Sequence, residues 1–147
     1  MRLHQVIVLD CATLTVLFTF SPFISAIDDF ESALHSQLCQ SHIPNLDTPC
    51  TSICAEHPVA VQRKGDLLYV VVTGVNEDEL ALVSLLSNVY RVITAACEEE
   101  PPTAPRLTAY YGKVVVCLHE AFGGQGFQLQ RSIENILRNS KLKAPLL

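Results

Sequence analysis

The run Leu67-Leu68-Tyr69-Val70-Val71-Val72 is apolar at every position and rich in β-branched residues. A surface helix shows a polar face every few residues, and a half-buried strand shows one at every second residue. An unbroken apolar run this short predicts a strand covered on both faces, and therefore central in a sheet. Lys64-Gly65-Asp66 reads as a hairpin turn before it, and Pro58 to Arg63 as its neighbouring strand. Ser52 to Glu56 is a weaker strand candidate.

The N-terminal segment supports two readings. In the first, Val6-Ile7-Val8-Leu9 is a buried strand and Asp10-Cys11-Ala12-Thr13 a turn in which Asp10 bonds the backbone. Leu14 to Phe20 then returns as a second strand, rich in β-branched and aromatic residues. In the second, Arg2 precedes a mostly apolar Val6–Ala26 whose end, Ile24-Ser25-Ala26, suits a signal peptidase. Asp10 inside the apolar run, with Thr13, Thr15 and Thr19, argues for the hairpin. The uninterrupted part is also shorter than the ~20 residues a membrane span needs. Cysteine arithmetic leaves the choice open. Six cysteines suit a secreted disulfide scaffold, yet Cys11, Cys39, Cys97 and Cys117 lie in apolar stretches, as buried thiols do.

Helices are predicted elsewhere. Ser25 and Asp28 have capping-box spacing ahead of a stripe formed by Ile27, Phe30, Leu34 and Leu38, with Asp28, Asp29, Glu31 and Gln37 facing out. Gln40 to Pro49 reads as a loop. After Gly74, Asn76 and Glu79 form another capping box. Leu82, Leu85, Leu86, Val89, Ile93 and Ala96 then keep the 3.6-residue period, and Leu80, Val83, Tyr90 and Val92 widen the apolar face. Such a helix is either engulfed by its own domain or partly covered by a partner. Glu98 to Pro105, with three prolines, reads as a loop. Lys113 to Phe122 is ambiguous: its valines favour strand, while Val115, Leu118, Phe122 and Val114, Cys117, Ala121 keep helical spacing. Arg131 to Lys141 is a last short helix, with Ile133, Ile136 and Leu137 inward. Hairpins and consecutive strands with helices packed on them define an α+β domain with an antiparallel sheet.

The 147 residues suit one domain, residues 1–147. Hydrophobic residues at 49% exclude a disordered chain. A net charge of −5 with no basic stripe offers nothing to a nucleic-acid backbone or an anionic membrane.

Candidate chemistry is sparse. Cys50, Cys54 and His57, with His42 upstream, approach zinc-ligand spacing but no second ligand pair closes the set. His119-Glu120 begins like a zincin motif, but position 123 is Gly where a second His is required. Cys117 is too close to His119 along the chain to form a nucleophile–base pair with it, and reads as core. Gly123-Gly124-Gln125-Gly126 has neither the Walker nor the dinucleotide pattern, and reads as a helix stop. The expectation is a non-enzyme with no catalytic, cofactor or metal residues.

The segment Leu68-Tyr69-Val70-Val71-Val72-Thr73-Gly74-Val75-Asn76-Glu77-Asp78-Glu79-Leu80-Ala81-Leu82 resembles the most recognisable part of the adaptin small-chain family. That family comprises the sigma chains of clathrin adaptors and the zeta chain of coatomer. Val6-Ile7-Val8-Leu9-Asp10 looks like its first strand and turn, and Phe30-Glu31 stands where its first helix begins. Tyr111 to Gly124, with His119-Glu120 and Gly123-Gly124, looks like its apolar helix running into a Gly-rich stop. Two features depart from the family pattern: Leu17-Phe18-Thr19-Phe20 lacks the usual basic residue and Tyr pair, and His119 replaces Asp. The strand end Val72-Thr73-Gly74 and the helix start Glu79-Leu80 look most like coatomer zeta, with a sigma chain second.

The resemblance implies a longin-like fold: a five-stranded antiparallel sheet flanked by α-helices, with Val114 to Phe122 helical. It also implies a structural subunit of a vesicle coat, cytoplasmic and peripheral on Golgi and transport-vesicle membranes, serving transport between Golgi and endoplasmic reticulum. The implied partner is the trunk of a gamma-coatomer-like large subunit within a hetero-oligomeric coat. Partner-contact residues are not implied. The contrasting expectation is a small secreted, disulfide-stapled protein beginning near Ile27.

Overall fold

The computed structural model describes residues 3–21, 30–40, 47–74 and 78–122. Among these, the strands are β1 (Leu3–Asp10), β2 (Val16–Phe20), β3 (Cys50–Cys54), β4 (His57–Lys64) and β5 (Leu67–Thr73). The helices are α1 (Phe30–Gln40), α2 (Glu79–Cys97), α3 (Ala104–Ala109) and α4 (Tyr111–Phe122). The strands form one antiparallel sheet in the order β2-β1-β5-β4-β3. This is the α+β arrangement expected from the sequence.

β5 is the middle strand and is buried at all its positions. Its alternate side chains serve two cores, because successive residues of a strand point to opposite faces. Leu67, Tyr69 and Val71 join Val6, Val8, Phe18 and Phe20 beneath α2 and α4. Leu68, Val70 and Val72 join Ile7, Leu9, Val59 and Val61 on the other face, beneath Leu34 and Leu38 of α1. The sheet is thus sandwiched between helices, and the unbroken apolar run follows from that double cover.

The N-terminal hairpin forms as predicted, with β1 paired to both β2 and β5. Asp10 Oδ1 accepts hydrogen bonds from the N–H groups of Ala12 (2.9 Å) and Thr13 (3.1 Å), satisfying donors that the turn would otherwise strand. Leu14 lies outside the strand, at φ 58°, so β2 begins two residues later than expected. Gly65 holds the β4–β5 turn at φ 63°, and a Cβ there would lie 2.9 Å from Pro101 Cγ, so glycine is required on two counts.

α2 begins later than its sequence signals suggested. Asp78 is the N-cap, its carboxylate accepting from the Ala81 N–H at 2.7 Å, which makes Glu79 the first helical residue. Asn76 lies outside the described residues. The whole predicted stripe is buried, together with Tyr90 and Val92. By length and composition α2 is apolar enough to cross a membrane, but its apolar side is packed on the sheet and α4. Engulfment therefore accounts for most of the surplus apolar face that suggested a partner. The exceptions are Leu80, 82% exposed, and Val83, which is half-buried.

The segment read as a loop to Pro105 contains the start of α3. Thr103 caps that helix by accepting from the Arg106 N–H (3.3 Å), and Pro105 sits in its first turn. A first-turn proline is tolerated because its missing N–H would have no intrahelical partner. α4 settles the ambiguous Lys113–Phe122 as helix: Val114, Cys117, Leu118, Ala121 and Phe122 are all buried, so tertiary packing overrides valine propensity. Lys113 is buried with them. Gln37, expected to face out, is half-buried and donates to Ser52 Oγ at 3.0 Å. The Ser25–Asp28 cap, Ile27, Asp29, the side chains of Phe30 and Glu31, Gly123–Gly126 and the helix read over Arg131–Lys141 lie outside the described residues.

Candidate functional site

The sequence candidates for chemistry are dispersed by the fold. Cys50 and Cys54 stand at the two ends of β3. Four residues of strand span about 13 Å, too far for two ligands of one zinc ion. His57 pairs with Cys54 across the β3–β4 turn, while its ring lies against His4 of β1, with ring centroids 5.8 Å apart. The two imidazoles meet beyond the end of β5, where Gly74 leaves them room: a Cβ there would lie 3.3 Å from His4 Nε2. His42 is outside the described residues, among which no group of three or more metal-ligating side chains occurs. On α4, Cys117 is buried and His119 exposed. Two positions on a helix differ by about 200°, so the pair points in opposite directions.

A cleft of about 680 Å³ lies beside the C-terminal end of α2, lined by Lys64, Tyr90, Arg91, Thr94 and Glu98–Glu100 among others. Several of its charged groups already have partners. Lys64 Nζ stands 4.9 Å above the Tyr90 ring. Glu98, in the left-handed region at φ 56°, is the C-cap of α2 and donates its N–H to the Thr94 carbonyl. Its carboxylate lies 3.6 Å from Lys113 Nζ and 3.9 Å from Arg106 Nη2, while Arg106 Nε donates to the Cys97 carbonyl at 2.7 Å. Cations beside exposed carbonyls at a helix C-terminus are favourable, so this network ties α2 to α3 and α4. Sequence reading missed it. Lys113, embedded in an apolar helical stripe, was the available signal.

Burial governs the thiols. Cys97 is pushed up to about 12, first by desolvation, with Glu99 and Cys117 adding and Arg106 and Lys113 opposing. Burial also raises the Cys54 thiol. Cys11, Cys50, Cys54 and Cys97 are free thiols.

The two sheet edges differ. On β2 the ring of Phe18 lies 4.7 Å from that of Tyr111, whose hydroxyl donates to the Thr19 carbonyl at 3.4 Å. On β3, Cys50, Ser52 and Ile53 are exposed, Ile53 at 66%. Arg63 grips the Asp47 carboxylate through Nε and Nη2, both at 2.9 Å, and fixes where the chain enters that edge.

No known protein-family model matches the chain, and no curated protein matches it.

Proposed function

We propose that the chain is a structural small subunit of a vesicle coat, of the coatomer zeta type, acting in protein transport between Golgi and endoplasmic reticulum. The observation that carries the reading is the strand–Gly–helix segment of residues 68–82: its strand is the central β5, and its helix is the long α2 laid over the sheet. That segment also bears the main sequence resemblance. A five-stranded antiparallel sheet with α1 on one face and α2 and α4 on the other agrees with the longin-like fold the resemblance implies. β1 and β2 lie within the first 26 residues, so a mature chain starting near Ile27 would lose two of the five strands. This favours the coat reading over a secreted protein.

In this role the chain catalyses no reaction and carries no cofactor. Its partner is the trunk of a gamma-type large subunit, and the assembled coat brings it to the membrane. Leu80, exposed within the segment that carries the resemblance, is an apolar side chain its own domain leaves uncovered.

Co-expression with a gamma-type coatomer large subunit, followed by affinity capture of that subunit, tests the reading. Stoichiometric retention of this chain is expected. Retention by a clathrin-adaptor large subunit instead would assign it to the sigma type. A soluble monomer retained by neither would overturn the coat role.

A further inference from the structure

Where the sheet ends beyond Thr73, three neighbouring strands send residues to one face. Alternation from Val70 and Val72, both in the core beneath α1, puts Gly74 on the α1 face. Alternation from Val59 and Val61 puts His57 on that face too, one strand over. His4 reaches it through an irregularity. Counting back from Val6, which lies beneath α2, His4 should point beneath α2 as well. The register shift between Leu3 and Gln5 inserts an extra residue in β1, so Leu3 enters the α2-side core and His4 turns across to His57. Bulges re-aim side chains in this way. The backbone on each side is fixed without the rings: Ser21 Oγ donates to the His4 carbonyl at 3.0 Å, and His57 is paired with Cys54. Between the rings there is room. A Cβ on Gly74 would lie 3.3 Å from His4 Nε2 and 3.8 Å from its Cε1. Among the described residues beyond its chain neighbours, no other group comes within 4 Å of that point.

We propose that His4 and His57 together hold a divalent transition-metal ion over Gly74, a staple joining β1 to β4 past the end of β5. Two imidazoles on one tetrahedral zinc, at zinc–nitrogen distances of about 2.0–2.1 Å, keep their centroids about 5 Å apart. The rings stand 5.8 Å apart and tilted by 53°, so both reach one ion after closing by less than about 1 Å. Imidazole nitrogen selects zinc, copper or nickel over calcium and magnesium, which take oxygen ligands. Two imidazoles are fewer ligands than a closed zinc site uses, and both residues are half-buried, so water completes the shell and binding is weak and reversible. Only folding brings β1 and β4 to the same place, so the ion binds the folded chain and stabilises it. The ion is structural, and the proposal is independent of the coat reading.

Thermal unfolding of the full chain in Zn²⁺ from zero to about 1 mM, with a non-chelating reductant present, tests it. A saturable rise in Tm is expected, and His4→Gln or His57→Gln should each weaken the apparent affinity about tenfold or more. Cys50→Ser and His119→Gln remove exposed ligands elsewhere and should leave the rise unchanged. In wild type, the His4 and His57 ring signals of a histidine-selective NMR spectrum should shift together and saturate at one ion per chain. That readout needs neither histidine variant to fold. No rise in Tm, a rise that survives either His4→Gln or His57→Gln, one abolished by Cys50→Ser or His119→Gln, or ring signals indifferent to Zn²⁺ would each overturn the staple. Retention by a coat large subunit is scored separately, so either idea can fail alone.

Discussion

The rings of Tyr69 on β5 and Tyr90 on α2 meet edge to face, centroids 5.0 Å apart at 85°, and the Tyr69 hydroxyl is buried there without a hydrogen-bond partner. A buried, unsatisfied hydroxyl costs about 1–3 kcal/mol. Tyr69→Phe keeps the ring contact and removes that cost. The variant is expected to be about 1 kcal/mol more stable, read as a higher denaturant midpoint at unchanged slope.

The same interior sets an alkaline limit. Cys97 is held at about 12 against an ordinary value of 9.0, and burial raises the Tyr69 phenol too. Both folded values lie above the unfolded ones, so the protonated folded state is favoured. Their contribution is complete below about pH 9 and is lost as pH rises towards 12. Urea unfolding should show stability falling steadily over that window, and Tyr69→Phe should make the fall shallower.

Thiol labelling should follow exposure. Cys50 is exposed, whereas Cys97 is fully buried. At pH 8 a maleimide reagent is expected to modify Cys50 promptly and Cys97 only after unfolding, as mapped by peptide mass spectrometry.

Ile7 pairs with both neighbours of β1 and lies in the core beneath α1, with no exposed surface. Ile7→Asp buries an unpaired carboxylate and should cost several kcal/mol, enough to abolish the cooperative thermal transition. A variant melting like wild type would mean that the first strand lies outside the core.

The β3–β4 turn offers a change in the other direction. Ala55 and Glu56 both occupy the left-handed region, at φ 49° and 67°. Two-residue turns of that hand favour Asn-Gly, because a Cβ there is crowded. Ala55→Asn with Glu56→Gly should stabilise the domain by about 1 kcal/mol and raise its melting temperature by a few degrees.

The central sheet was legible because its signals are local and mutually consistent. Leu67–Val72 could only be doubly covered, and Asp10 and Gly65 mark turns by their own chemistry. Helix starts were less legible. Asn76 and Asp78 are both favourable cap residues by type, and Asp78 is the one whose carboxylate caps α2. Pro105 read as loop because proline stops a helix everywhere except its first turn. Valine propensity by itself left α4 undecided; the family resemblance implied helix, and the buried face against α2 supplies the physical reason. The chemical candidates misled for a different reason: spacing along the chain said nothing about extension, and Cys50 and Cys54 diverged once the segment became a strand. Openness of the β3 edge was invisible because it depends on strand order.

That strand order also constrains synthesis. Val8 pairs with Tyr69, about sixty residues further along the chain. A nascent chain translated at about 5–20 residues per second must therefore hold the inner border of β1 without its mate for several seconds. For that interval the emerging hairpin is a natural client for ribosome-associated chaperones, and slowing elongation before residue 67 would prolong its vulnerability to aggregation.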